Sequence, residues 1–262
     1  MFGRREKAPQ EVNMGIKKVG MIAAVGLIVA SSFAGYHARA AIHPSVTEHL
    51  DNARIQAQLG KSNEAASYAQ AMLMGGNITV SVDYGNTPIK QMASCDIAVK
   101  GAFEMWETAL NGDVKFVKVA YGEKADVKIK FDQNVKLNNQ IVSGYINWSR
   151  TVEETFDGPV PHFKADVFLR TTDPNGTQLQ AKAMKHTCGH EFGHMFGLDD
   201  VKEVGMLMGP INLKCPVAAP NESEIETVKA IRTECQSLVT AAKHGGTSGQ
   251  NFQRQCSHNH QH

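Results

Sequence analysis

Hydrophobic residues from about position 45 to 74 recur at helical spacing in two runs, separated by the polar break Gly60–Asn63. Apolar residues three and four positions apart form one face of a helix, so this stretch predicts two helices joined by a turn. The pattern ends at Gly75 and Gly76. We therefore predict that 41–76 is a helical hairpin, serving either as a pro-segment or as an accessory element.

Alternating β-branched and apolar residues replace the helical spacing from Asn77 onward. The pattern predicts five strands, at about 78–82, 114–119, 125–131, 144–148 and 165–169, and three main helices, at about 98–110, 178–196 and 222–238. This order of elements indicates an α+β fold, in which helices pack on a twisted five-stranded mixed sheet. We assign 77–240 to this domain and expect 241–262, a polar tail containing histidines, to be disordered.

The composition is that of a folded domain without a dominant charge. Of the 262 residues, 42% are hydrophobic, and 27 basic side chains stand against 26 acidic ones. The length allows one sizeable domain with appendages, or two small domains. A net charge of +1 provides no basic field, so we expect no nucleic-acid partner.

The first forty residues have the three parts of a secretory signal peptide. A lysine pair at 17–18 precedes the uncharged apolar run 19–30, and residues 38–40 read Ala-Arg-Ala. Small residues in this pattern mark a cleavage site, so we predict 1–40 to be removed and the protein to be secreted, without membrane attachment. Met14 is an alternative start. The apolar stretch also approaches spanning length, so an uncleaved signal anchor is the alternative interpretation.

Export would place the cysteines in a compartment where disulfide bonds persist. Their number is odd, so at least one is unpaired or pairs between chains. None follows a CxxC spacing, which argues against a cysteine zinc site. The five are Cys95, Cys188, Cys215, Cys235 and Cys256.

The strongest chemical signal is the sequence HEFGHMFGLDD at 190–200. His190 and His194 are four residues apart, so on a helix both imidazoles reach one side at the spacing of ligands to a single metal ion. Glu191 lies beside them, where it can take a proton from a metal-bound water. The pattern predicts a metal centre of the hydrolytic type.

A third ligand is expected just after the helix. Gly197 can adopt a positive φ, so the helix should stop there and the chain double back, bringing Asp199 and Asp200 toward the metal. His186 shares the face of His190, but three residues at i, i+4 and i+8 span about 12 Å of helix, which is too far for one ion. We therefore predict a packing or supporting role for His186.

The series HExxHxxGxx, followed by the apolar segment Gly205–Pro210, resembles the metzincin metallopeptidases. Phe103, Trp106 and the strand at 125–131 look matrixin-like, and the resemblance covers about 77–238. It implies the metzincin-type fold. The sequence lacks a PRCGxPD-type cysteine switch, so the resemblance does not imply that a cysteine keeps the enzyme latent.

The resemblance also distinguishes between the candidate ligands. In this clan the third zinc ligand lies three residues beyond the glycine, which is Asp200 here. Most members have histidine there, whereas secreted bacterial metzincins similar to snapalysin also carry aspartate. The methionine of the Met-turn corresponds to Met208, with Met206 as the alternative. Gly209 follows Met208, so the tyrosine that astacins place near zinc has no counterpart.

The function that the resemblance implies is a monomeric zinc endopeptidase acting on polypeptide substrates. His190, His194 and Asp200 would hold one catalytic Zn²⁺, and Glu191 would act as general base toward a metal-activated water. The sequence gives no indication of structural Ca²⁺. By the same resemblance, substrate would contact the strand near 143–148 and the segment after the Met-turn, with an apolar side chain preferred after the cleaved bond. The implied substrate-binding residues are Gly144, Tyr145, Gly209, Pro210, Ile211 and Asn212.

Two other functions remain open at this stage. One is an exported, non-enzymatic binding module that keeps the fold and uses the helical hairpin as its contact surface. The other is a metal-dependent hydrolase of cell-wall peptides.

Overall fold

A computed structural model describes residues 40–74, 76–156, 158–245 and 254–259. These residues fall within one compact unit, so the helical hairpin is not a separate domain. The predicted signal peptide up to residue 39, including Met14, lies outside the described residues. In the described parts of the chain, no helix combines the length and the apolar character needed to cross a membrane.

Five helices and eight strands make up the described structure. The helices are α1 (Pro44–Gln58), α2 (Ser62–Met72), α3 (Ile89–Ala109), α4 (Ala181–Met195) and α5 (Glu222–Gly245). The strands are β1 (Gly76–Asp83), β2 (Val114–Lys118), β3 (Val127–Asp132), β4 (Lys136–Leu137), β5 (Gln140–Ile141), β6 (Gly144–Thr155), β7 (Gly158–Arg170) and β8 (Arg254–Asn259).

One mixed sheet organises the molecule, with the strand order β2-β1-β3-β7-β6-β8. Strands β1, β2, β3 and β7 are mutually parallel, whereas β6 runs antiparallel to β7. The first five strands in this order confirm the predicted mixed sheet. The three main helices and the amino-terminal hairpin are also present, so the α+β class is confirmed.

The carboxyl-terminal segment differs from the expectation for 241–262. Helix α5 continues to Gly245, and Arg254–Asn259 add a sixth strand beside β6. Backbone groups on a sheet edge can pair with any extended segment, whatever the polarity of its side chains. The hydrophobic pattern does not encode that pairing, which is why a polar segment forms a strand that the pattern does not predict.

The main core lies between the sheet and the helices α3 and α4. Val127, Ile129 and Phe131 alternate inward along β3 and are almost fully buried. On the helix side, Trp106 of α3 is completely buried, and its indole Nε1–H donates to the carbonyl oxygen of Gly189 at 2.9 Å. This hydrogen bond fixes α4 against α3, and α4 carries the histidine motif.

A second core joins the hairpin to α5. Val46 and Leu50 of α1 are buried with Ile231 and Cys235 of α5. Next to this cluster, the guanidinium of Arg54 donates to both carboxylate oxygens of Glu234, at 2.6 and 2.9 Å. The hairpin is therefore packed into the fold through apolar burial and a bidentate ion pair.

The described cysteines do not form the disulfide expected for an exported protein. Cys95, Cys188 and Cys235 are buried free thiols, and Cys215 is an exposed free thiol. Burial raises the pKa of Cys95 and of Cys235 to about 12, and it also raises the pKa of Cys188. Each of the three buried cysteines lies on a different helix facing apolar neighbours, so packing brings no two of these sulfurs together.

Replacing Leu50 by alanine tests the contribution of the hairpin to the fold. Leu50 is 1% exposed, so the cavity left by Leu50→Ala should lower the free energy of unfolding by about 2–5 kcal/mol. Leu59→Ala is the matched control, because Leu59 is 63% exposed and its loss should change stability by less than about 0.5 kcal/mol. Urea unfolding of both variants provides the measurement. Equal stability of the two would contradict the docking of α1 on α5.

Thiol labelling of the native protein tests the cysteine assignment. Only thiolates react readily, so burial together with a raised pKa should protect Cys95, Cys188 and Cys235, whereas Cys215 should be alkylated within minutes. Peptide mapping by mass spectrometry identifies the labelled positions, and the denatured chain serves as the fully reactive control. Rapid labelling of any of the three buried thiols in the folded protein would refute their burial.

Candidate metal centre

Helix α4, which carries the histidines, is buried along nearly its whole length. Two glycines on it permit this close packing. A Cβ at Gly189 would lie 2.8 Å from Cε of Met105, and a Cβ at Gly193 would overlap Sδ of Met208. The helix is therefore held between α3 on one side and the segment containing Met208 on the other.

The helix ends in the way that the sequence predicts. Gly197 has φ +99°, the N–H of Gly197 donates to the oxygen of His194, and the N–H of Leu198 donates to the oxygen of Gly193. These two bonds form a Schellman motif, which satisfies the last helical carbonyls and reverses the chain. The reversal directs the residues after Leu198 back toward the exposed end of the histidine pair.

A short strap, residues 41–43, fixes this reversed segment. The N–H of Asp199 donates to the oxygen of Ala41, and the N–H of His43 donates to the oxygen of Gly197, both at 2.9 Å. Ile42 and Leu198 form an antiparallel bridge between the two segments. The strap is thus paired with the residues immediately before Asp200, and no local sequence signal points to that pairing.

The reversal brings one carboxylate to the two imidazoles. Oδ1 of Asp200 lies 3.2 Å from Nε2 of His190 and 3.6 Å from Nε2 of His194. One ligand atom from each of the three residues lies within 4.8 Å of the others. Donors about 2.0–2.2 Å from a tetrahedral zinc ion are themselves roughly 3.3–3.6 Å apart, so the carboxylate spacings fit such an ion.

The imidazoles are oriented by backbone carbonyls. Nδ1 of His190 lies 2.8 Å from the oxygen of Leu207, and Nδ1 of His194 lies 3.0 Å from the oxygen of Leu198. A carbonyl oxygen only accepts, so each Nδ1 carries the proton and donates it. The lone pair of each Nε2 then faces Asp200, which is the tautomer that a metal ligand requires.

The electrostatic environment of the cluster favours a cation. Burial lowers the pKa of His190. The protonated ring, however, can donate from Nε2 to Asp200, and this bond together with the charges of Glu191 and Asp200 outweighs burial, so the net pKa lies above its usual value. Two imidazole nitrogens and one carboxylate oxygen are also a donor set that zinc prefers. The residues present therefore fit a zinc ion by spacing, by orientation and by charge.

Glu191, a residue of α4, lies beside this cluster and close to Gly144, the first residue of strand β6. Its side chain is 1% exposed, yet it lines the same cavity of about 380 Å³ as His190 and Asp200. A Cβ at Gly144 would lie 3.1 Å from Oε1 of Glu191 and 2.9 Å from the oxygen of Phe168. Glycine at 144 therefore leaves the space in which the Glu191 carboxylate and β6 approach each other.

Met208, the residue expected for the Met-turn, is completely buried, and it lines the same cavity as His190 and Asp200. Its N–H donates to Oε1 of Glu224 at 2.8 Å, and its carbonyl oxygen accepts from the N–H of Val201 at 3.0 Å. Met206, the alternative, is only partly buried. Sδ of Met208 packs against Gly193 of α4, and the role of Met208 as the Met-turn methionine stays a prediction.

Glu224 is a supporting residue that the sequence analysis missed. Its N–H donates to Oδ1 of Asn221 at 2.9 Å, while Oε2 of Glu224 accepts from the N–H of Asn221 at 2.7 Å. This reciprocal pair is a capping box at the start of α5, and the spacing Asn-x-x-Glu could have revealed it. Its further bond to Met208 depends on tertiary packing.

His186 has the supporting role that helix geometry predicts. Its Nδ1 accepts from the N–H of Val217 at 3.1 Å, and its Nε2 lies 3.4 Å from the oxygen of Leu207. Burial, together with the neighbouring His190, lowers the pKa of His186 to about 4, so this imidazole is neutral at pH 7. It connects α4 to the two loops that follow it.

The cavity contains part of the predicted substrate-binding set. Gly144, Gly209, Pro210 and Ile211 line it, and so does Ser143 from the strand expected at the rim. Val142 and Val201, which the sequence analysis did not select, line it as well. Tyr145 is not among the lining residues, because its ring stacks on Phe168 with centroids 4.5 Å apart. Asn212 is not among them either, because its Oδ1 accepts from the N–H groups of Lys214 and Cys215 within its own loop.

Comparison with known proteins identifies the family of this chain. Interstitial collagenase of Equus caballus is 24% identical over 153 residues, which cover 58% of this chain and 31% of the collagenase. The chain thus spans about a third of the length of that relative. The sequence model of the family described as Matrixin matches residues 74–231, which include α4, the reversed segment and Met208. This chain therefore belongs to the matrixin family.

Proposed function

We propose that this matrixin is a secreted zinc-dependent endopeptidase. The observation that carries the proposal is the convergence of His190, His194 and Asp200 beside a cavity that His190, Asp200 and the buried Glu191 line. A structural metal site would be closed by protein ligands, whereas catalytic zinc sites use three protein ligands and leave one position open. The three described donors and the adjoining cavity correspond to the second type.

Nε2 of His190, Nε2 of His194 and a carboxylate oxygen of Asp200 would hold the ion. Zinc bound by such residues lowers the pKa of a coordinated water toward about 7 and polarises the carbonyl of the bond to be cleaved. The backbone carbonyls of Leu207 and Leu198 keep the two imidazoles in the required tautomer.

Glu191 is proposed as the general base. Its carboxylate would accept a proton from the attacking water and then deliver that proton to the nitrogen of the leaving amine. Its burial keeps bulk water from competing for the carboxylate, and its Oε1 lies close to the backbone of Gly144. No other acidic side chain lines the cavity except Asp200, within the residues that the structure describes.

The polypeptide substrate would lie between two walls of the cavity. Gly144 begins one wall, where the backbone of β6 can pair with an extended peptide by strand addition. Gly209, Pro210 and Ile211 form the opposite wall. These residues present an apolar surface, which supports a preference for an apolar side chain after the cleaved bond.

Cleavage of the signal peptide near Ala40 is part of the proposal. It would leave the strap 41–43 on the mature chain, where the strap pairs with the segment before Asp200. The hairpin shares a buried cluster with α5, so we expect it to stay in the mature, monomeric enzyme rather than to be removed as a pro-segment.

The choice between Asp200 and Asp199 as ligand can be tested by zinc affinity. Asp200→Asn removes a charged donor and should weaken zinc binding by more than about 100-fold, beyond the range typical of groups that only support a ligand. Asp199→Asn should stay within about tenfold of the parent. Competition titration with a chromogenic chelator measures both. A larger loss for Asp199→Asn would reverse the assignment.

Hydrolysis of casein or gelatin tests the reaction and the base together. Glu191→Gln should lower the cleavage rate by about 10²–10⁴-fold without loss of bound zinc, because Glu191 is not proposed as a ligand. Glu222→Gln, at an exposed position on α5, is the matched control and should cleave at the parental rate. A chelator should abolish cleavage by the parent.

Each other outcome has a defined meaning. Full activity of Glu191→Gln would remove Glu191 as the base. A zinc-loaded parent that cleaves no polypeptide would contradict the endopeptidase proposal. Cleavage of cell-wall peptides by that same protein would then support the hydrolase alternative, and inactivity on both would support a binding module.

A further inference from the structure

The outer edge of β6 is covered by the chain's own strand β8. The two strands pair antiparallel through successive partners from Asn147↔Asn259 to Val152↔Arg254. Strand β7 pairs with the other edge of β6 along its whole length. Residues 147–152 therefore have a strand on both sides.

This covered edge leads directly into the cavity of the metal centre. Gly144, the first residue of β6, lines that cavity with His190 and Glu191. Asn147 is three residues further along β6, about 10 Å away at the rise of an extended strand. Because β8 is antiparallel to β6, its direction of travel is toward Gly144, and its last described residue is Asn259.

We propose that β8 acts as an internal competitor of the substrate. Strand pairing uses each outward N–H and C=O group of an edge for one neighbouring strand only. A polypeptide that enters the cavity beside Gly144 and continues along β6 needs the groups of 147–152 that β8 already uses. Strand β8 and an extended substrate therefore exclude each other. This inference rests on the proposed endopeptidase function, because it concerns the regulation of the same site.

The competition should be reversible. A short segment added to a sheet edge is held mainly by its ladder hydrogen bonds, and small strand pairs are only marginally stable in water. Eight residues, 246–253, connect α5 to β8, and a short tether maintains an effective concentration in the millimolar range. Strand β8 can therefore compete with dilute substrate and still yield to a concentrated or tightly binding one.

This arrangement predicts a specific kinetic signature. A tethered competitor multiplies the apparent KM by one plus the closed-to-open ratio, and it leaves kcat unchanged at saturating substrate. Removal of all residues after Gly245 should lower KM for a long peptide substrate by about 5- to 150-fold, the range of ordinary coupling between mutually exclusive states. A substrate too short to reach Asn147 should respond much less.

Proline substitutions test the ladder itself without removing the segment. Consecutive N–H groups of a strand point to opposite sides, so one of the two single variants Ser257→Pro and His258→Pro removes a hydrogen bond to β6. That variant should lower KM in the same direction as truncation. Ser248→Pro, in the connecting segment, is the control and should leave KM unchanged.

A cross-strand disulfide tests the opposite direction. Ser149 and Ser257 are directly paired, and Cα atoms of such partners are about 4.5–5.5 Å apart, within disulfide range. Ser149→Cys combined with Ser257→Cys, with Cys215 and Cys256 changed to serine, should lock β8 and abolish cleavage of the long peptide. Reduction with a phosphine should restore it.

Hydrogen exchange provides a readout that does not depend on activity. In the Glu191→Gln background, amides of 147–152 that face β8 should exchange faster after truncation, whereas those that face β7 should stay protected. Equal KM values for the full and truncated chains, with both cleaving, would overturn the competitor role and leave the endopeptidase proposal intact. Absence of cleavage by every form would overturn both proposals, even if the exchange data still reported the pairing.

Discussion

The reversal of the chain after α4 is the constraint on which the site depends. Two histidines one helical turn apart bring two nitrogens to one side, and no further residue of that helix can reach the same ion. A third donor must arrive from a segment that turns back. Gly197 makes this possible through its positive φ and the Schellman bonds around it, and the strap 41–43 then holds the segment that leads to Asp200.

The rest of the fold holds α4 and the reversed segment in place. Helix α4 is pressed between α3 and the Met208 segment, with glycines where a side chain would collide. The carbonyl of Leu207 orients His190, and Glu224 connects Met208 to the first turn of α5. The hairpin packs on α5 and supplies the strap from its amino-terminal side. Elements distant in sequence thus converge on one small cluster because each satisfies a buried polar group of another.

The sheet also forms part of the wall of the cavity beside the cluster. Strand β6 starts at Gly144, close to Glu191, and its backbone continues away from the metal centre along the sheet edge. This makes one strand both a wall of the site and the place where an extended chain can add. Occupation of that edge by β8 follows from backbone pairing, which is indifferent to side-chain type. The access of a substrate to the site is therefore coupled to the state of a polar segment outside the matrixin match.

The periodicity of apolar residues determined the helices, the five principal strands and the α+β class, because burial of one face imposes a repeat that is visible in the chain. Local chemistry likewise determined His190, Glu191, His194 and the stop at Gly197, since these depend on spacing within one helix and its cap. Residue spacing left both Asp199 and Asp200 open, and only the family resemblance favoured Asp200. Tertiary structure alone decided that an aspartate reaches the imidazoles, that Tyr145 stacks on Phe168, that the described cysteines stay apart, and that 254–259 pair with β6. Each of these depends on distances between segments far apart in sequence, which no local repeat records.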